Sequence, residues 1–393
     1  MEKLLLTAVI FFTYFFIITY KLENINIYGS TIICFIFCFY YLFKMLKTRM
    51  LTIKLTKEEV KLVIILLIYM LFTFILSLVL GIENKSIFKV LSTNLFILTF
   101  ILILFHLESY KDYLLKISKL FSYGLILLGI FNVLLYIAKI YSVYFSFQSP
   151  YVTIMGENEM IDYFREIRFQ SMFSQKTKFA FYCIIGIFLL SINKTINSKL
   201  RYLGIIVLFV NIILTNSITS MLVTGLLLWS IIDFKKINRF LRYIFYFLSV
   251  FILVPYVIKV VNYMSTVRDV NTLGSRGIIW SYAFEFYKDH PFGVIDNWYL
   301  YQLGNSFRGA HNVFFNEILD YGIIGGLLFL ITYILYFYSL YKLDKRTLWL
   351  VFPTTILFMI DNMLQHEIVP VFLFTYILIK IMVYTDGNLK MTK

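Results

Sequence analysis

Charge, cysteine and histidine are all scarce in this sequence, and each scarcity excludes something. Only 15% of the residues are charged while 60% are hydrophobic, which lies far outside the range of soluble domains. The three cysteines, Cys34, Cys38 and Cys183, each sit inside an apolar run, so they read as apolar filler rather than a disulfide framework. No Cys/His spacing resembles a zinc site. Glycine loops of the Walker or dinucleotide-binding kind are missing, so nothing points to ATP or NAD, and no cofactor is expected. There is no internal repeat of the kind that builds inverted transporter halves. With four histidines in 393 residues, any place where an imidazole gathers other polar groups stands out.

What is present in excess is apolar length. A helix needs about 20 apolar residues to cross a hydrocarbon core of about 30 Å. Candidate spans are 4–20, 27–43, 61–80, 87–105, 119–141, 178–193, 200–214, 216–234, 243–262, 322–341, 347–363 and 367–385. They absorb most of the chain and leave no room for a separate soluble domain. The expected fold is therefore all-α: one polytopic membrane bundle over 1–393 with about twelve transmembrane helices. The first span follows Lys3 and ends Tyr20-Lys21 without a small-residue cleavage site, so it reads as a retained anchor. The pair 200–214 and 216–234 nearly touches at Thr215-Asn216, which makes that boundary the softest.

The formal charge of +14 is spread in a way that argues against nucleic acid. With the N-terminus inside, the inner loops hold Lys44, Lys47, Arg49, Lys54, Lys57 and Lys61, then Lys111, Lys116 and Lys119, then Lys194, Lys199 and Arg201. Lys235, Lys236, Arg239, Arg242, Lys342, Lys345, Arg346, Lys390 and Lys393 follow the same pattern. Short loops loaded with Lys and Arg orient a membrane protein and meet anionic lipid. Both termini are then expected on the cytoplasmic side of the cell membrane.

Two long polar segments fall on the opposite, outer side: 142–177 and 263–321. Connections of this length are uncommon unless functional or disordered. Both carry aromatic residues, so they are expected to fold against the bundle. Within the second, Trp280, Ala283, Phe284 and Tyr287 recur at helical spacing, predicting a short amphipathic helix over 276–288 that Pro291 ends. Asn312, Asn316 and Asp320 recur every four residues and would line one helical face, either against sugar or in ordinary helix packing. Gly322, Gly325 and Gly326 read as packing contacts or a break in the helix. A Glu157/Glu159 pair is too small to signal a metal, and none is expected.

The run Gly274-Ser275-Arg276-Gly-Ile-Ile-Trp280, then His290-Pro291-Phe292-Gly293, then His311-Asn312 and Gly322-x-x-Gly325 resembles the O-antigen ligase and Wzy-type polysaccharide polymerase family. Arg168-Phe-Gln-Ser171-Met-Phe-Ser-Gln175 is similar to that family's upstream arginine segment. The family pattern carries a glycine near position 171 and Pro-Asn near 176–177, where this chain has Ser171 and Lys176-Thr177. The resemblance implies transfer of a glycan from undecaprenyl diphosphate at the outer leaflet, without nucleotide sugar or metal.

That chemistry asks for particular residues. Diphosphate is already a good leaving group, so fixed cations on its oxygens help more than a general acid. Arginine stays charged and its planar fork pairs with two phosphate oxygens. Arg276, Arg168 and Arg308 are the candidates, as preorganised electrostatic stabilisers. The acceptor hydroxyl is a poor nucleophile that gains from a group able to take its proton, a task for which neutral imidazole is suited. His311 is therefore read as the base or acceptor-orienting residue. Arg165, Gln175, Asn312, Asn316 and Asp361 join Arg308 as expected substrate-binding residues. Trp280 joins them as a sugar-stacking surface, although an interfacial aromatic belt explains both it and Trp298 as cheaply. His290 reads as a turn residue, and His106 as a feature of a basic inner loop.

The expected activity is polymerisation of undecaprenyl-diphosphate-linked repeat units, serving as donor and acceptor, into capsular or exopolysaccharide. A ligase with a different acceptor is the nearest alternative, and a lipid-linked oligosaccharide flippase is the alternative of another class. Polymerase is preferred because the chain has no clear ligase-specific addition. The scarcity of ionisable residues at span centres disfavours transport. Expected partners are the lipid-linked oligosaccharide, membrane lipid, and the chain-length regulator and flippase of the same pathway, with no nucleic acid.

Overall fold

The computed structural model describes residues 2–15, 18–22, 25–48, 55–80, 84–146, 152–156, 169–231, 258, 276–295, 310–361, 363–364 and 367–391. Among these it is a helical bundle. In chain order the helices are α1 (Glu2–Tyr14), α2 (Gly29–Thr48), α3 (Lys57–Val79), α4 (Asn84–His106), α5 (Lys111–Ile137) and α6 (Lys176–Ile192). They continue with α7 (Ser198–Leu214), α8 (Ile218–Ile231), α9 (Arg276–Asp289), α10 (Val313–Leu343), α11 (Leu348–Ile360) and α12 (Ile368–Met391). Among the described residues, six segments are long and apolar enough to cross a membrane: Gly29–Lys47, Lys57–Val79, Ile87–Tyr110, Tyr113–Ile137, Val313–Leu343 and Ile368–Thr385. The chain is an all-α membrane protein. Eleven of the expected spans have a helix at their position; the remaining one, 243–262, lies almost wholly outside the described residues. The short helix expected at 276–288 is α9.

Packing sorts the helices into a centre and a periphery. Every residue of α6 from Lys178 to Leu190 is buried, and α12 is buried along most of its length. Tyrosines stitch the centre together: Tyr14 donates to Val371 O at 2.8 Å and Tyr336 to Phe372 O at 2.6 Å. The peripheral α2, α3, α5 and α10 present Leu, Ile and Phe outward, as a lipid-facing surface requires.

One feature corrects the expectation for the first span. The helix stops at Tyr14, and residues 18–28 form two antiparallel strands, β1 (Ile18–Leu22) and β2 (Ile25–Tyr28). β1 pairs in parallel with β3 (Ser142–Ser146), which pairs antiparallel with β4 (Val152–Met155), giving the order β2-β1-β3-β4. These strands are rich in β-branched and aromatic residues, which favour a pleated backbone. Their apolar side chains merge with the adjoining spans, so hydropathy alone does not separate them. The sheet caps the end of the bundle at which α6, α9 and α10 begin.

Helix α10 is two helices joined at Gly322, whose φ of 68° and ψ of −177° break the ladder. The expected span start at 322 falls on this break. In a continuous helix the Leu319 carbonyl would accept from residue 323. Here it accepts from Val294 N instead, at 2.8 Å. The break is thus satisfied by the turn that follows α9.

Candidate functional site

That turn explains two of the sequence motifs together. His290-Pro291-Phe292-Gly293 closes through Gly293 N donating to His290 O at 3.0 Å. Gly293 has φ +80°, and a Cβ there would lie 2.5 Å from Gly322 N; a Cβ on Gly322 would lie 2.6 Å from Pro291 O. The two glycines bring backbone against backbone, which no side chain permits. Beyond the break, Gly325 and Gly326 let the lower helix approach Tyr321 and Ile318. The glycines are packing elements that lock α9 and its turn onto α10.

Above the break, the same lock is continued by side chains. Ile279 and Ala283 of α9 are buried with Ala310 and Leu319. Trp280 Nε1 donates to Ala310 O at 2.8 Å, and its ring packs on Phe315. Ala310 N donates to Asn316 Oδ1 at 2.9 Å. Asn312 caps α10, its side chain accepting from Phe315 N at 3.1 Å. Between these fixed points stands His311, with φ +48° in the left-handed region. Trp280 and Asn316 therefore hold the backbone on the N-terminal side of His311, and Asn312 holds it on the other. Arg276 is the first residue of α9, one helical turn before Trp280.

The ring of His311 meets the last connection of the bundle. Its Nδ1 lies 3.3 Å from Asp361 Oδ1. Asp361 Oδ2 accepts from Thr177 Oγ1 at 2.6 Å. A second link ties the same connection to α6: Lys178 Nζ bonds Glu367 Oε1 at 2.9 Å and Ser174 Oγ at 2.7 Å, and Ser174 also contacts Glu367. Lys178 is completely buried and Glu367 nearly so. A buried lysine of this kind persists only when paired. Asp361, one of the expected substrate-binding residues, lies beside His311 and Thr177. The pairings of Thr177 with Asp361 and of Lys178 with Glu367 are not visible in the sequence, because the partners lie far apart along the chain.

Gln175 stands at the residue before α6 without capping it, and its Oε1 is buried without a hydrogen-bond partner; Asn316 Nδ2 is buried in the same condition. Such groups are rare and call for an explanation. Ser171 has φ +54° and bonds Asn132 Oδ1 through its Oγ at 2.6 Å. That backbone region favours glycine, the residue the resembling pattern carries near this position. Lys176 is the first residue of α6, where proline is favoured because its fixed φ suits the helix and its missing N–H is not needed.

Asp320, the lowest residue of the Asn312/Asn316/Asp320 stripe, pairs with Lys89 Nζ at 2.9 Å, and its neighbour Glu317 accepts from Tyr69 at 2.7 Å. All three residues of the stripe are buried. Arg165, Arg168, Arg308, Trp298, Glu157 and Glu159 lie outside the described residues. Among the described residues no group of three or more His, Cys, Asp or Glu side chains gathers as a potential metal site.

Residues 203–330 match the family described as O-antigen ligase. The match covers about a third of the chain. The matched segment contains α9, the Gly293–Gly322 contact and His311-Asn312, and it ends before Asp361. This family is of the membrane ligase and polymerase type, consistent with the spans described above. No curated protein matches the chain.

Proposed function

We propose that the protein is an inverting, metal-independent glycosyltransferase of the cytoplasmic membrane. It polymerises undecaprenyl-diphosphate-linked oligosaccharide repeat units into capsular or exopolysaccharide at the outer face. The observation that carries this reading is the placement of His311. A histidine in strained backbone, fixed on both sides by side chains from α9 and α10, has its Nδ1 beside a carboxylate. With Nδ1–H donated to Asp361, the Nε2 lone pair is left to take a proton.

The reaction then runs as a single displacement. The acceptor hydroxyl oxygen bonds to the anomeric carbon as the bond from that carbon to the diphosphate oxygen breaks. The hydroxyl proton passes to His311 Nε2, and the electron pair leaves with undecaprenyl diphosphate. Arg276, with Arg168 and Arg308, stabilises the charge that develops on the departing diphosphate. Asn312, Asn316, Gln175, Arg165 and Trp280 contribute to sugar binding, and the unpartnered amide atoms of Asn316 and Gln175 suit hydroxyl groups that both donate and accept. Growing chain and incoming repeat unit both reach the site laterally from the outer leaflet, with a chain-length regulator and flippase acting in the same pathway.

The family description favours a second reading, a ligase that moves the glycan to an acceptor other than a lipid-linked repeat unit. One assay separates the two. Purified protein in lipid receives undecaprenyl-diphosphate-linked repeat units, and products are resolved by size. A ladder supports polymerase; a single addition to a supplied foreign acceptor supports ligase. His311→Ala and Arg276→Ala are each expected to lower the rate by about a hundredfold or more. Equal products from wild type and both variants would remove the site assignment, no product from any would favour the flippase, and loss of activity in chelator would remove metal independence.

A further inference from the structure

At Gly322 helix α10 does more than kink. Ile318 and Gly326 stand eight residues apart, which along a continuous helix is about 12 Å. Here a Cβ on Gly326 would lie 3.5 Å from Ile318 Cα, so the first half, 313–321, folds back against the second, 323–343. The hydrogen-bond ladder of the second half therefore cannot fix the angle of the first, which follows His311-Asn312 and is capped by Asn312. The corner between the two halves holds Tyr69, a buried residue midway along α3, the helix that packs along α10. Its ring stands edge-on to Tyr321 of the first half at 6.1 Å and tilts against Phe329 of the second at 6.5 Å. Its hydroxyl donates to Glu317 Oε2 at 2.7 Å. One side chain from a spanning helix thus meets both halves and bonds the half that follows His311.

We propose that Tyr69 is a positioning residue of the transfer site: braced on Phe329, its hydroxyl sets the angle of the first half of α10 through Glu317, and with it the place of His311. The lever is long. The cap at Asn312 lies ten residues from the pivot at Gly322, so a tilt of about 5° moves it by about 1.3 Å. Misplacement by about 1 Å costs up to about a hundredfold in rate where reacting groups must align. Ala310 and Leu319 pack with α9, and Gly293 sits on Gly322, so α9 and its turn tilt with this half as one unit. The effect of Tyr69 passes through Glu317 and the helix rather than through substrate. The inference rests on the proposed role of His311 in glycan transfer.

The test compares wild type, Tyr69→Phe, Glu317→Gln and the double variant Tyr69→Phe/Glu317→Met in lipid nanodiscs, on undecaprenyl-diphosphate-linked repeat units. Tyr69→Phe keeps the ring and removes the hydroxyl; it is expected to lower kcat by about tenfold with KM little changed. Glu317→Gln keeps an acceptor for the hydroxyl and is expected to hold kcat within about threefold of wild type. Tyr69→Phe also deprives a carboxylate of its donor, so Tm should fall. The double variant removes both ends of the bond, so Tm should return to the wild-type range while kcat stays low. A role in stability alone predicts instead that kcat recovers with Tm. A second readout needs no turnover: in hydrogen–deuterium exchange, amides of 313–321 should exchange faster in Tyr69→Phe, with those of 323–343 unchanged. Should Tyr69→Phe fold poorly, the double variant carries both readouts. Wild-type kcat in Tyr69→Phe, recovery of kcat together with Tm in the double variant, or unaltered exchange over 313–321 would overturn the inference. If wild type transfers no glycan while exchange over 313–321 still responds, the functional reading fails and the brace stands.

Discussion

The two ends of the bundle are built on different terms. At the end opposite the site, many polar groups are closed on one another, although Tyr41 Oη and His106 Nε2 are buried there without a hydrogen-bond partner. Glu59 caps α3 in a reciprocal box with Thr56 and is bonded by Lys380 and Tyr376. Asp344 and Arg346 close the turn between α10 and α11, and Asn193 and Asn197 close the one between α6 and α7. At the site end lie all six residues with positive φ among the described residues: Lys139, Ser171, Asn216, Gly293, His311 and Gly322. Ser171 and Tyr141 join through the sheet, Asn216 is reached by Lys176, and His311 is reached through Asp361 and Thr177. The same end carries the unpartnered amides of Gln175 and Asn316. Backbone strain persists only where the surroundings over-determine it, and it collects at functional sites. It is the strained backbone that sets the site end apart.

The sharpest way to break this contrast is at Gly322. Gly322→Ala places a Cβ 2.6 Å from Pro291 O on a backbone with φ +68°. The turn after α9 must detach, at a cost of about 3 kcal/mol, and with it the anchorage of Trp280 and Ala310 beside His311. Thermal unfolding should fall and glycan transfer should be lost. Gly225→Ala is the matched control, because a Cβ there meets nothing within 4 Å. Near-equal behaviour of the two variants would mean that the clasp between motifs does not hold the site.

Next in size is a disruption at the closed end. Lys380→Met removes the cation from a carboxylate that is almost fully buried. An uncompensated buried charge costs about 3 kcal/mol, so unfolding should occur at a lower temperature. The transfer rate of the protein that remains folded should stay near wild type, since the pair is remote from His311. Loss of rate in that folded fraction would show that the two ends are not independent.

How much of this contrast was legible beforehand follows from where each signal lives. Long apolar runs read as helices because burial in lipid demands about 20 consecutive apolar residues, and the start of the span at 322 coincided with the break in α10. The His311-Asn312 and glycine motifs were legible as a cluster, yet the reason for the glycines appeared only with Gly293 seated against Gly322. The strands at 18–28 were hidden because β-branched residues inside an apolar run look like more span. Lys178 sits in a predicted span with no partner nearby, and its pairing with Glu367 is a contact between distant segments that one sequence does not display. Asp361 was recognised as polar and well placed, but its role beside His311 depended on the same long-range geometry. Side-chain identity announces chemistry; the partner that tunes it comes from the fold.

The finest test of the strained end is Ser171→Gly. Serine at φ +54° carries a backbone penalty of about 1 kcal/mol that glycine removes. The same substitution deletes the Ser171 Oγ bond to Asn132 Oδ1, leaving a buried acceptor short of one partner at a loss of about 1 kcal/mol. The two effects oppose, so thermal stability should move by less than about 1 kcal/mol in either direction. Ser171→Ala removes the hydrogen bond and keeps the strain, so it should be the less stable of the two by about 1 kcal/mol. Transfer should persist in Ser171→Gly, because the parallel bridge to Ser142 is made by backbone alone. If Ser171→Gly were instead as damaging as Ser171→Ala, the hydroxyl rather than the backbone would be what the position requires, and the glycine of the resembling pattern would need another explanation.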